Sequence, residues 1–143
     1  MNLEEFNIEQ DLSIDKFKLD LEALSLPSIY FRYADALREA RDLASDKKDA
    51  VVAVMAEREI AIRESCSISG VKTTESIIKA KVESDPEVIT VKKELREANA
   101  VVGRIQAAVS ALDTKRNEID NLVKLYCSSY FINKWNLNIN IWA

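Results

Sequence analysis

Two rows of apolar residues run through the second half of the chain at intervals of seven. Val88, Leu95, Val102, Val109 and Val123 make one, with Arg116 its single polar member; Val91, Ala98, Ile105, Leu112, Ile119 and Tyr126 make the other, three positions later. Alternate steps of three and four put both rows on one face of a helix. A 3.5-residue repeat held over about six heptads implies knobs-into-holes packing on a long partner helix. An earlier helix of the same chain or another subunit can supply that partner. Asp85-Pro86-Glu87 marks the start, because Asp caps, proline suits the first helical position and an acid complements the positive helix end. The predicted helix runs from Asp85 to about Phe131.

A second stripe precedes it. Tyr30, Tyr33, Leu37, Ala40, Ala44, Val51, Val54, Met55 and Ile62 predict a long helix from Pro27 to about Cys66, with Lys47 interrupting the seam. Its alanines allow close approach of a partner helix. Upstream, Ser13 can cap a short arm helix whose Ile14, Phe17, Leu21 and Leu24 share a face, ending before Pro27. Ser65 to Thr74, containing Gly70, reads as a loop, followed by a short helix to Ser84 with Ile77, Ile78 and Val82 as its apolar contacts. After Phe131 the period changes to two, with Trp135, Leu137, Ile139 and Ile141 separated by Asn136, Asn138 and Asn140. That pattern reads as one short strand, paired across a subunit boundary or against the arm, or as an extended tail. The fold expected is all-α: two long antiparallel helices in a coiled-coil hairpin, a short connecting helix, an N-terminal arm helix and this C-terminal strand. The divisions are 1–26, 27–131 and 132–143.

Composition agrees with this picture. Among 143 residues there are two glycines and two prolines, too few for a sheet of many hairpins, and 48% are hydrophobic, enough for a core. No histidine occurs, which removes the commonest general base and metal ligand. Cys66 and Cys127 are far apart and form no metal or redox pair. No phosphate loop, nucleophile with a base, or paired-carboxylate motif is present, so neither catalytic residues nor a cofactor nor a metal site are expected. The acidic N-terminus does not read as a signal peptide, and no apolar run approaches a membrane span, so a cytoplasmic protein that touches no membrane is expected.

The net charge of −4 is the wrong sign for indiscriminate coating of nucleic acid. Its distribution is uneven. Before Pro27 stand seven acids (Glu4, Glu5, Glu9, Asp11, Asp15, Asp20, Glu22) against Lys16 and Lys18, leaving the helical body near neutral. Basic candidates for phosphate contact are Lys47 and Lys48, then Arg58, Arg63 and Lys72 toward the loop end, and Lys79, Lys81, Lys92, Lys93 and Arg96 around the Asp85 turn. Several copies would sum these into a positive ring. The opposing reading is surface pairing with Glu57, Glu59, Glu64, Glu94 and Glu97. Tyr30, Tyr33, Tyr126 and Tyr130 suit base stacking or, being at or beside the seam, the core. Arg116 has two readings as well: a polar register-setting residue, or a stem that covers the seam while its head reaches water.

Some wording carries a resemblance. Ile77-Ile78-Lys79-Ala80-Lys81-Val82-Glu83-Ser84-Asp85-Pro86-Glu87-Val88, Leu95-Arg96-Glu97-Ala98, Lys115-Arg116, Asn121-Leu122-Val123-Lys124-Leu125-Tyr126 and Ser129-Tyr130-Phe131 together resemble the UvsY-like recombination mediators of tailed phages, over about Ser28 to Phe131. The resemblance implies a small helical protein of the infected host's cytoplasm that forms a ring and binds single-stranded DNA. It further implies that the protein helps load a RecA-like recombinase onto DNA covered by single-strand-binding protein. It assigns DNA contact to a basic stretch late in the first long helix, here Arg58 and Arg63, both flanked by acids. Self-association is expected through Leu95, Val102, Ile105, Val109, Leu112 and Ile119, with Trp135 and Trp142 of the tail. The alternative from another class is a coiled-coil structural or adaptor protein that binds only protein, such as a phage assembly factor or an inhibitor of a host system.

Overall fold

A computed structural model describes residues 6–70 and 72–131. It contains four helices, α1 (Ile8–Leu12), α2 (Leu19–Ile68), α3 (Glu75–Glu83) and α4 (Pro86–Cys127), and no strand among the described residues. The long helices pack on one another, so the heptad rows of α4 find their partner within the chain. The chain forms two compact units. One joins the N-terminal part of α2, through Asp35, to α4 from Ile105 onward; the other runs from Ala36 to Arg104.

In the Ala36–Arg104 unit, α2 and α4 run antiparallel, as the ion pairs Lys47–Glu94 (2.7 Å) and Arg58–Glu87 require. Ala36, Leu37, Ala40, Ala44 and Val51 bury the α2 stripe, and Lys47 meets its partner at the edge of the seam. Gly70 ends the α2 region with φ +66, a left-handed conformation that glycine adopts at little cost. Helix α3 then lays Ile78 and Val82 on Val88, with Val54, Met55 and Ile62 packed around them. Ile77, expected among these contacts, faces outward. Helix α4 starts as the sequence predicts: the Asp85 carboxylate accepts from the Glu87 N–H at 2.9 Å.

The other unit departs further from expectation. Ser13 closes α1 instead of starting an arm helix, its N–H donating back to the Glu9 and Gln10 carbonyls. Helix α2 begins at Leu19, which leaves Pro27 inside it. Proline removes one ladder bond, to the carbonyl of Ala23, but Ala23 and Pro27 are both exposed and water can satisfy that oxygen. Leu26 and Tyr33 of α2 pack with Ile105, Ala108, Val109, Leu112 and Ile119 of α4 in the core. Tyr30 lies outside it. At the far end α4 stops at Cys127, and Ser129 turns the chain with φ +58.

The buried cation of this unit is Lys115, not Arg116. Lys115 is 4% exposed, whereas Arg116 lies at the surface. Its neighbours on the buried face are Ala108, seven residues before, and Ile119, four after. Asp11 and Glu22 lie over this side of α4, so position 115 is buried while the row Ile105, Leu112 and Ile119 keeps its spacing. Lys115 Nζ donates to Glu22 Oε2 at 2.7 Å and to the Asp11 carbonyl at 2.9 Å. Glu22 Oε1 accepts from the Asp15 N–H, while the Asp11 carboxylate accepts from Tyr33 (2.8 Å) and Arg32 (3.0 Å). One ammonium group thus fastens the arm at Asp11 and, through Glu22, at Asp15. Burial and then the Asp11 carboxylate push the Tyr33 hydroxyl up to about 12.

Truncating Lys115 leaves the Glu22 carboxylate and the Asp11 carbonyl without their donor. Lys115→Ala should lower unfolding stability by about 3 kcal/mol, read from the urea midpoint. Hydrogen bonding from Lys115 and from the Asp15 N–H holds the Glu22 carboxyl below its ordinary value. The unfolded chain therefore binds this proton first on acidification, so the stabilisation is complete above the ordinary carboxylate range and is lost as pH falls through it. The stability difference between the parent and Glu22→Gln should be largest near neutrality and shrink in acid; a difference independent of pH would contradict this assignment.

Candidate nucleic-acid interface

The basic candidates converge where α3 joins the long helices in the Ala36–Arg104 unit, but their surroundings divide them into two groups. Arg58 projects from α2 toward the start of α4. Its Nε donates to Glu87 Oε2 at 2.8 Å, and Asp85 lies 3.8 Å away. Arg63, a turn and a half later, is held between two acids. Nε and Nη2 donate to Glu59 Oε1 at 3.0 and 2.7 Å, and Nη1 and Nη2 form a fork on Glu75 at 2.8 and 2.6 Å. The fork matches the planar guanidinium to the planar carboxylate and ties the first turn of α3 to α2. The Glu75 bond, then the Glu59 bond, raises the Arg63 pKa, and Arg63 in turn holds the Glu75 carboxyl below its ordinary value. Both arginines named by the resemblance are thus neutralised locally.

The lysines differ. Lys72, Lys79 and Lys92 have no carboxylate within ion-pair distance among the described residues. The Lys81 ammonium lies 3.9 Å from the buried Cys66 sulfur, and Lys93 reaches Glu97 only loosely, at 3.8 Å. Lys79 borders a groove of about 640 Å³ whose floor includes Val52, Met55, Ile78 and Val82 and whose rim carries Glu59 and Glu75. Sequence spacing did not separate the two groups, since it does not show that Glu75 and Glu87 fold back on the arginines of α2.

Among the expected self-association residues, Ile105, Val109, Leu112 and Ile119 are buried within the chain, and Leu95 and Val102 are half-buried. Val52, Ile60, Ile68, Ile77 and Ile89 are exposed apolar residues of the Ala36–Arg104 unit. Trp135, Trp142 and the strand reading of the tail lie outside the described residues. Tyr126 and Tyr130 are partly exposed, with Phe131 packed against both rings at 4.6 and 5.4 Å. Among the described residues no three Cys, Asp or Glu side chains gather into a metal site, and no helix is long and apolar enough to cross a membrane.

No protein-family model matches the chain, and no curated protein matches it in sequence. Solved structures do match in fold. A crystal structure of the bacteriophage T4 recombination mediator protein UvsY (lattice type IV) superposes with a TM-score of 0.75 at 17% identity, covering 90% of this chain and 99% of that one. A second, of lattice type II, gives 0.61 at 18% identity over 91% and 98%. The packed α2 and α4 helices with their short companions are therefore a UvsY-like fold.

Proposed function

We propose that the protein is a non-enzymatic recombination mediator that self-associates, binds single-stranded DNA and helps load a RecA-like recombinase onto strands covered by single-strand-binding protein. The observation that carries this reading is the likeness to a protein described as a recombination mediator, which extends over nearly the whole of that chain. The exposed lysines around α3 support it, because backbone phosphates are held by mobile ammonium groups without sequence readout. Phosphate contact falls to Lys72, Lys79, Lys81, Lys92 and Lys93, while Arg58 and Arg63 shape the platform. Self-association uses apolar surface that intrachain packing leaves open, with several copies adding their lysines into one field. The workplace is the cytoplasm of an infected host.

The engaged arginines favour a second reading, an adaptor that binds protein only. Fluorescence anisotropy of a labelled single-stranded oligonucleotide separates the two. A mediator binds at low salt and weakens as salt rises; absence of binding at every salt concentration supports the adaptor. Lys79→Glu and Lys92→Glu should each weaken binding several-fold and flatten the log–log salt dependence by about 0.7 per lost phosphate contact. Conversely, the double variant Glu59→Gln, Glu75→Gln frees the Arg63 guanidinium and should tighten binding with a steeper salt dependence. Light scattering on the same samples reads assembly, and a monomer at micromolar concentration contradicts the ring.

A further inference from the structure

The unit that holds the arm has an apolar strip on the outside of its α2–α4 pair. One opening, of about 560 Å³, is lined by Leu26, Tyr30, Phe31 and Ala34 of α2 and by Leu112 and Arg116 of α4. A second, of about 370 Å³, lies between Phe17 and Leu19 on one side and Val123 and Tyr126 on the other. Asp20, Pro27 and Ala34 recur at seven-residue steps, as do Arg116 and Val123, so both openings lie on one face of the pair. Leu24, 77% exposed, stands between them, and Phe31 and Phe17 are 73% and 81% exposed. Apolar surface this contiguous and this aromatic calls for a cover.

We propose that the cover is the chain's own segment 132–143, laid antiparallel along α4 with Trp135 at the Tyr126 opening and Ile141 at the Phe31 opening. Three observations lead to this occupant. Ser129 adopts φ +58 and Phe131 packs 4.6 Å from Tyr126, so the chain has already reversed onto α4 at the mouth of the nearer opening. The segment alternates apolar residues with asparagine from Trp135 to Ile141, a pattern that gives an extended chain one apolar and one polar edge. The reach also matches. Between the centres of the two openings α4 rises about 17 Å, and the six residue steps from Trp135 to Ile141, fully extended, span about 20 Å. A tethered segment acts at an effective concentration on the order of millimolar, above what a second copy supplies in dilute solution.

Trp135 and Trp142 are the only tryptophans, so intrinsic emission reports this segment alone. In the full chain, emission should be blue-shifted relative to a free peptide of residues 132–143, and acrylamide quenching several-fold weaker, both unchanged on dilution to nanomolar protein. Leu24→Ser and Phe31→Ser alter exposed side chains and should red-shift the emission and restore quenching while far-UV circular dichroism stays the same. Val52→Ser, at the groove beside α3, should leave the emission as in the parent. Peptide-like emission in the parent, protection that disappears on dilution, or protection indifferent to Leu24→Ser and Phe31→Ser would each overturn the proposal.

Discussion

The ammonium of Lys115 is the constraint on which the arm-bearing unit depends. Burying a charge is costly unless it is paired and hydrogen-bonded, and Lys115 is both, through the Glu22 carboxylate and the Asp11 carbonyl. The two acceptors lie on opposite sides of the bend at 13–18, so satisfying the lysine also sets the path of the arm. Asp11, held there, places its carboxylate on Tyr33 and Arg32. An apolar residue at 115 would pack against the same helices but leave that path unspecified.

Charge is organised differently around α3. There the arginines are structural: Arg63 ties α3 to α2 and Arg58 ties α2 to the start of α4. The acids that hold them cancel much of the local positive field. Lys72, Lys79 and Lys92 have no carboxylate partner among the described residues, and Lys93 reaches Glu97 only at 3.8 Å. Such a surface suits reversible, sequence-independent contact. It also makes assembly consequential, because a near-neutral chain presents a strong field only when copies are arrayed.

Apolar surface follows the same division of labour. The heptad residues Ile105, Val109, Leu112 and Ile119 of α4 are buried within the chain, and the exposed apolar residues include Val52 and Ile60 in one unit and Phe17, Leu24 and Phe31 in the other. Exposed aromatic rings beside a reversing chain end point to intramolecular cover in the second case. In the first, the apolar groove beside α3 adjoins the lysines, which places hydrophobic and electrostatic contact on one surface.

Periodicity alone determined much of the fold. The row Ala98, Ile105, Leu112, Ile119 and the stripe Tyr33, Leu37, Ala40, Ala44, Val51 are buried as spaced, and Asp85 caps α4, because each follows from helical geometry and local backbone chemistry. Helix starts on the N-terminal side were less legible. Ser13 and Pro27 carry strong local signals, yet α2 runs through Pro27, where exposure lets solvent take the place of the missing bond. Only tertiary structure chose Lys115 over Arg116, since the Glu22 carboxylate and a carbonyl more than one hundred residues away decide which cation is buried. Only tertiary structure, likewise, brought Glu75 and Glu87 onto Arg63 and Arg58. Side-chain identity and spacing specify which face a residue occupies; which charge meets which depends on where the chain folds back.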